Sequence, residues 1–316
     1  KWRWPAVGLS SLIILIGAGV VVMQGGLALG IDFSGGTIVI VQFDVPVTED
    51  AVRGAVSGAV GESVVQQYGA ADENEILIRL PQSGPEQGAS LEEGANAVVA
   101  ALERSTLGAF TVVGQELVGP VIGQELQRRG VYAFLSAMLG ILVYVGFRFR
   151  FSFAVGAIIA VAHDILVTLS LLTFLGFDLS LNVVAAMLTI TGYSVNDSIV
   201  VFDRVRENMR GMRRDAFGKL VNASINQTLS RTIITSGTTA FAVLALFVFG
   251  GEVLGGFAFT MLVGVISGTY STIFIAAAAA IVISERRVAR RAQATASAVS
   301  RPKRRNKKGR SRVQSR

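Results

Sequence analysis

VVAAMLTITGYSVNDSIVVF, residues 183 to 202, is twenty residues long and carries one charged side chain, Asp197. About 20 apolar residues in a helix cross the hydrocarbon core of a bilayer, so the stretch has the length and composition of a membrane span. A charged carboxylate inside such a run costs roughly 3 kcal/mol even on the lenient insertion scale. It has to face protein or water, with a partner or a proton to manage. Asp197 is therefore the first candidate for function.

The same kind of run recurs on both sides of it. Hydrophobic residues make up 51% of the chain and charged residues 16%, proportions that exclude an ordinary soluble protein of this length. Runs over about 6 to 24, 130 to 147, 152 to 175, 183 to 202, 232 to 250 and 255 to 283 predict six spans. The last is long enough to tilt or protrude. The first has a basic flank, Lys1 and Arg3, like a secretory signal. No small-residue cleavage site interrupts it before Gly30-Ile31-Asp32, so it is read as a retained span.

Orientation follows from Lys and Arg, which accumulate in cytoplasmic loops. Arg148 and Arg150 lie between spans two and three. Seven basic residues (Arg204, Arg206, Arg210, Arg213, Arg214, Lys219, Arg231) lie between spans four and five, and thirteen follow Ser284. Residues 32 to 125 instead hold fourteen acidic and three basic residues, and the turns around Asp178 and Glu252 hold no Lys or Arg. Both termini are expected in the cytoplasm, with residues 32 to 125 outside. The chain has no cysteine, which removes thiol catalysis, disulfides and Cys metal sites.

The outer segment switches from membrane runs to short alternating elements. Thr37 to Phe43 is a β-branched strand, Thr48 caps a helix to about Gly58, and Ser63 to Tyr68 and Glu75 to Leu80 are short strands. Ser90 caps a helix to Arg104, and Ala109 to Leu117 closes the set; Pro81 to Gly88 is a polar loop. The order is the split βαβ unit. The expected fold is a polytopic α-helical membrane protein: six transmembrane helices with an extracytoplasmic α+β domain, ferredoxin-like βαββαβ, between helices 1 and 2. Its parts are residues 1–29 (cytoplasmic N-terminus and helix 1), 30–128 (outer domain), 129–284 (helices 2 to 6) and 285–316 (a basic, disordered cytoplasmic tail).

Several motifs fall in order on this topology. They are Gly30-Ile31-Asp32-Phe33-Ser34-Gly35-Gly36-Thr37, Val118-Gly119-Pro120-Val121-Ile122-Gly123, Ala162-His163-Asp164, Asn196 through Asn208, Asn226 through Thr232, and Phe257 through Ser271. Together they resemble the SecD/SecF family of bacterial protein-export membrane proteins, on its SecF side, within the resistance-nodulation-division superfamily. The glycine element alone is shared by both sides of that family.

The resemblance implies a non-enzymatic role without a cofactor in the bacterial cell membrane. With SecD, it would use the proton-motive force to draw preprotein through SecYEG after SecA has pushed it. YajC and YidC are further implied neighbours. Asp197 and Arg231 match the family's proton-transport pair. Physical reasoning agrees in kind: Asp197 sits about 9 Å inside the cytoplasmic end of its span, and the Arg231 stem can reach inward from the start of the next. A structural ion pair, or an interfacial arginine, would place the same residues there. Two other functions stay open, a half-size proton-driven exporter of lipid or drug and a passive scaffold that stabilises the channel.

Asn196, Ser198, His163 and Asp164 are read as polar support. His163 and Asp164 lie about 100° apart on their helix and cannot both face one partner. A metal site is not expected, since one histidine and no cysteine leave scattered carboxylates. Gly264 and Gly268 form a close-packing face, read first as a seat for SecD, with packing inside the chain equally compatible. Arg301 to Arg310 is read as a lipid-associated segment drawn to anionic headgroups, with no specific nucleic acid partner.

Overall fold

The computed structural model describes residues 3–61, 63–69, 73–80, 89–149, 151–211 and 216–299. The Pro81–Gly88 loop and the tail beyond Val299 lie outside the described residues. After α1 (Arg3–Met23) comes a single turn, α2 (Ile31–Ser34). The chain then runs through β1 (Gly36–Phe43), α3 (Glu49–Val60), β2 (Val64–Tyr68), β3 (Glu75–Leu80), α4 (Ala89–Glu103) and β4 (Phe110–Val118).

The strands form one antiparallel sheet in the order β2-β3-β1-β4, as expected of a split βαβ unit. Alternation decides what each face buries. Val39, Val41 and Phe43 of β1 and Ile76, Ile78 and Leu80 of β3 point to one side. There they meet Val52 and Val56 of α3 and Val98 and Leu102 of α4. On the other face Ile38 and Leu77 cover Ile31 of α2. Thr48 caps α3 by accepting the Ala51 N–H at 3.4 Å. Gly35 and Gly36 take φ of 72° and 134°, and a Cβ on Gly36 would lie 2.5 Å from the Leu80 carbonyl oxygen. Only glycine fits that turn into the sheet.

The membrane part comprises α1, α5 (Pro120–Arg148), α6 (Phe151–Phe174), α7 (Leu181–Gly211), α8 (Phe217–Phe249) and a last span. The six apolar runs are all helical. Three helices outrun them: α5 starts at Pro120, α7 continues to Gly211 and α8 starts at Phe217. Apolar runs mark only the lipid-facing length, and polar extensions persist where side chains pair along the helix. Glu125 with Arg129 at 2.7 Å and Arg204 with Glu207 at 2.5 Å are such pairs.

The last span is not one regular helix. It is α9 (Gly251–Ser271), a π-helical turn over Thr272–Ala276, and α10 (Ala277–Val299). The Ala277 N–H donates to the Thr272 carbonyl, five residues back, and the widened turn meets α6 where Gly156 leaves room. A Cβ there would lie 2.7 Å from the Ala276 carbonyl oxygen. Residues 285–299, expected as disordered tail, instead continue α10, whose composition of Ala, Arg, Glu and Gln favours helix. Helix α6 is the hub of the bundle, packed against α1, α5, α7, α9 and α10. Within the chain α6, α7 and the last span are about half buried, while α1, α5 and α8 turn most of their surface outward.

Candidate functional site

Helix α7 places Ser194, Asp197, Ser198 and Val201 on its buried face, as spacings of three and four require. Asp197 is 5% exposed, and its Oδ2 is buried without a hydrogen-bond partner. The hydroxyls of Thr232 and Ser236 on α8 face the carboxylate, and the Arg231 guanidinium is the positive charge acting on it. Ser236 is linked onward, accepting from Thr269 Oγ1 of α9 at 2.8 Å and from the Tyr193 hydroxyl at 3.4 Å. Ser198 shares a 3.1 Å hydrogen bond with Thr272, the first residue of the π turn. Such wide turns recur at functional sites.

Asp197 and Arg231 do not close an ion pair among the described residues, contrary to the contact expected from sequence. Thr232 and Ser236 are one turn apart and define the stripe of α8 that meets α7. Arg231, one residue earlier and about 100° around the helix, is exposed. Asn196 is likewise exposed, because its neighbour Asp197 takes the buried face. It does not support the carboxylate.

A second carboxylate is better satisfied. Asp164 of α6, 2% exposed, accepts hydrogen bonds from Ser194 of α7 at 2.6 Å and from Ser267 and Ser271 of α9 at 2.6 and 2.7 Å. His163 Nδ1 lies 3.1 Å from Asp164 Oδ1, so the adjacent side chains do meet each other, although the helix points them apart. The His163 ring stacks 6.1 Å from Tyr270, and its Nε2 is buried without a partner. Asp164 thus joins three helices one turn from Asp197. The serines that satisfy it were not singled out from sequence. Ser267 and Ser271 are spaced i, i+4 like Thr232 and Ser236, and that spacing is the signal that marks both pairs.

Gly264 and Gly268 face α7, not a partner. A Cβ on Gly264 would lie 2.4 Å from Ile190, and one on Gly268 3.1 Å from Ser194. The close-packing face is therefore used inside the chain. The chemistry open to this constellation is proton gain and loss at a carboxylate inside a helix bundle. Among the described residues no group of three or more His, Asp or Glu side chains is placed to hold a metal ion.

A family profile described as "Protein export membrane protein SecD/SecF, C-terminal" matches residues 98–286, and one described as "SecD/SecF GG Motif" matches residues 22–47. The chain is 43% identical over 285 residues to the protein translocase subunit SecF of Desulfurispirillum indicum, covering 87% of this chain and 88% of that one. To the SecF of Escherichia coli O157:H7 it is 41% identical over 288 residues, 91% of this chain and 88% of that one. The crystal structure of SecDF, a translocon-associated membrane protein from Thermus thermophilus, superposes with a TM-score of 0.78 at 37% identity. That superposition covers 90% of this chain and 38% of the longer SecDF chain.

Proposed function

The chain belongs to the SecD/SecF protein-export family, and we propose that proton movement at Asp197 couples the proton-motive force to late preprotein movement through SecYEG. It is a multi-pass membrane protein of the translocase, with six helices long and apolar enough to cross a bilayer. The chain spans less than half of the SecDF polypeptide it superposes on. SecD is accordingly the partner that supplies the rest, and the outward surfaces of α1, α5 and α8 are where a second subunit or lipid would lie.

The observation that carries the reading is the environment of Asp197: a carboxylate buried in the bundle, with one oxygen unpaired and two hydroxyls on the other helix. Both Asp164 oxygens have hydrogen-bond partners, whereas Asp197 Oδ2 has none, and a buried charge on an unpaired oxygen is costly. Arg231, turned outward on α8, gives the ionised form a counter-charge and would meet the SecD half, since an arginine at a span needs a polar partner. Each charge that crosses 100 mV releases about 2.3 kcal/mol, enough to shift a two-state equilibrium roughly fiftyfold.

The test is Asp197→Asn in vesicles holding the complete translocase with no wild-type copy. The substitution preserves size and hydrogen-bonding capacity while removing ionisation. We expect normal assembly with SecD, unchanged ATP-driven translocation, and loss of the increment that a membrane potential adds. A full increment in that variant rejects the coupling role.

A further inference from the structure

Away from the proton site, the outer domain is fastened to the turn that precedes α7. Leu29 and Leu179 pair as an isolated parallel bridge. The Leu179 N–H donates to the Ala28 carbonyl at 2.7 Å and the Gly30 N–H to the Leu179 carbonyl at 2.9 Å. Two residues beyond Gly30, Asp32 Oδ2 accepts the N–H of Leu181 at 2.8 Å. Leu181 is the first residue of α7, so a carboxylate 149 positions away in sequence answers one of that helix's unpaired donors and lies at the positive end of its dipole. On the other side of the contact, Arg79 of β3 forms an ion pair with Asp178, the side chains being 18% and 27% exposed.

Each contact constrains a different motion. The bridge holds the two segments together, Asp32 fixes the axial position of α7, and Arg79 with Asp178 fixes the orientation of the sheet about the bridge. Arg79 sits in the middle of the sheet, with Ile38 on one side and Val64 on the other, so a force on its side chain reaches the whole domain. Helix α7 is continuous from Leu181 to Gly211, and Asp197 lies roughly 24 Å along it at 1.5 Å per residue. Ser194, held by Asp164, lies between the two points.

The geometry points to Asp32, Arg79 and Asp178 as positioning residues of a strut that ties the N-terminus of α7 to the outer domain. A shift of α7 at Asp197 then moves the domain instead of being absorbed by the turn between α6 and α7. This rests on the reading of Asp197 as the coupling group. The strut stays closed through the cycle, because bridge, cap and ion pair together restrain separation, axial shift and rotation of the domain.

The experiment uses the full chain with SecD, SecYEG and SecA in vesicles, reading preprotein translocation with ATP alone and with an added potential. Arg79→Ala and Asp178→Ala are each expected to lower the potential-dependent increment about threefold or more, with the ATP-only rate and the yield of the SecD complex unchanged. The exchanged double variant, Arg79→Asp with Asp178→Arg, restores most of it. Leu29→Cys with Leu179→Cys places two thiols on directly opposed residues of neighbouring strands, about 4.8 Å apart and within disulfide reach. The natural chain holds no other cysteine, and oxidation is expected to leave the increment intact.

A full increment in both alanine variants, with Asp197→Asn inactive, overturns the strut and leaves the coupling reading standing. Loss of the increment on oxidation, reversed by reductant, also overturns it, since the joint would then have to open. If Arg79→Ala lowers the yield of complex, the exchanged variant decides, and failure to restore rejects the proposal. An increment that survives Asp197→Asn removes the premise and the strut with it.

Discussion

Two carboxylates one turn apart across a helix pair behave differently because their donors differ. Asp164 meets three serine hydroxyls and His163 Nδ1, whereas Asp197 keeps an unpaired oxygen. Removing Asp164 orphans the Ser194 and Ser267 hydroxyls and leaves Ser271 only its 3.2 Å bond to the Gly268 carbonyl, so Asp164→Ala should lose about 3 kcal/mol or more. Ser194→Ala, which removes one donor, should lose about 1 kcal/mol. Thermal unfolding in detergent, followed for both variants beside the wild type, checks the order; equal melting temperatures would show that the network is not holding the helices. Asp197 was legible in the sequence because one charge in a twenty-residue apolar run is conspicuous. Its surroundings were not. A residue's neighbour on the helix points about 100° away, and the sequence does not say that Thr232 rather than Arg231 faces α7.

Glycines at close helix contacts meet different obstacles. At Gly264 the obstacle is the Ile190 side chain, 2.4 Å from an added Cβ, while at Gly156 it is the Ala276 backbone oxygen at 2.7 Å. Gly237 has nothing within 4 Å. The Ile190 δ carbon can rotate away, but its β carbon, 2.7 Å from the added atom, is as fixed to the backbone as the Ala276 carbonyl. Gly156→Ala and Gly264→Ala should therefore both be damaging, near the upper end of the roughly 1–3 kcal/mol expected for overpacking. Gly237→Ala should gain up to about 1 kcal/mol from helix propensity. A melting series in which either variant matches the wild type would show that its helix contact is not tight. The glycine pair itself was readable from its spacing of four. The π turn was not, since Thr272–Ala276 contains neither Gly nor Pro and the apolar pattern runs through it unbroken. It coincides with the close approach of α6 at Gly156, a tertiary contact.

At the scale of the whole molecule the structure sorts charge to two ends. The Arg79–Asp178 pair and the Asp32 cap place the outer domain and the α6–α7 turn together. Arg148 lies 3.6 Å from Asp203, and the Arg287 guanidinium lies 4.8 Å from the Phe151 ring, which gathers the α5–α6 turn, the far part of α7 and α10 at the opposite end. In the sequence, residues 32 to 125 hold fourteen acidic and three basic residues, and Lys and Arg cluster after Phe202 and Ser284. This asymmetry was legible from composition because it needs no side-chain geometry. The joint between domain and α7 was not, because it links residues 149 and 99 positions apart. We propose that the acidic end is extracytoplasmic, since basic segments are retained in the cytoplasm. In a chain without cysteine, Ser57→Cys on the exposed surface of α3 should react with an impermeant thiol reagent added outside cells. Gly218→Cys, at the start of α8 with open space around its Cβ, should react only after the membrane is breached. The opposite pattern would invert the molecule. It would also place the strut on the cytoplasmic side, where a domain has no access to preprotein leaving the channel.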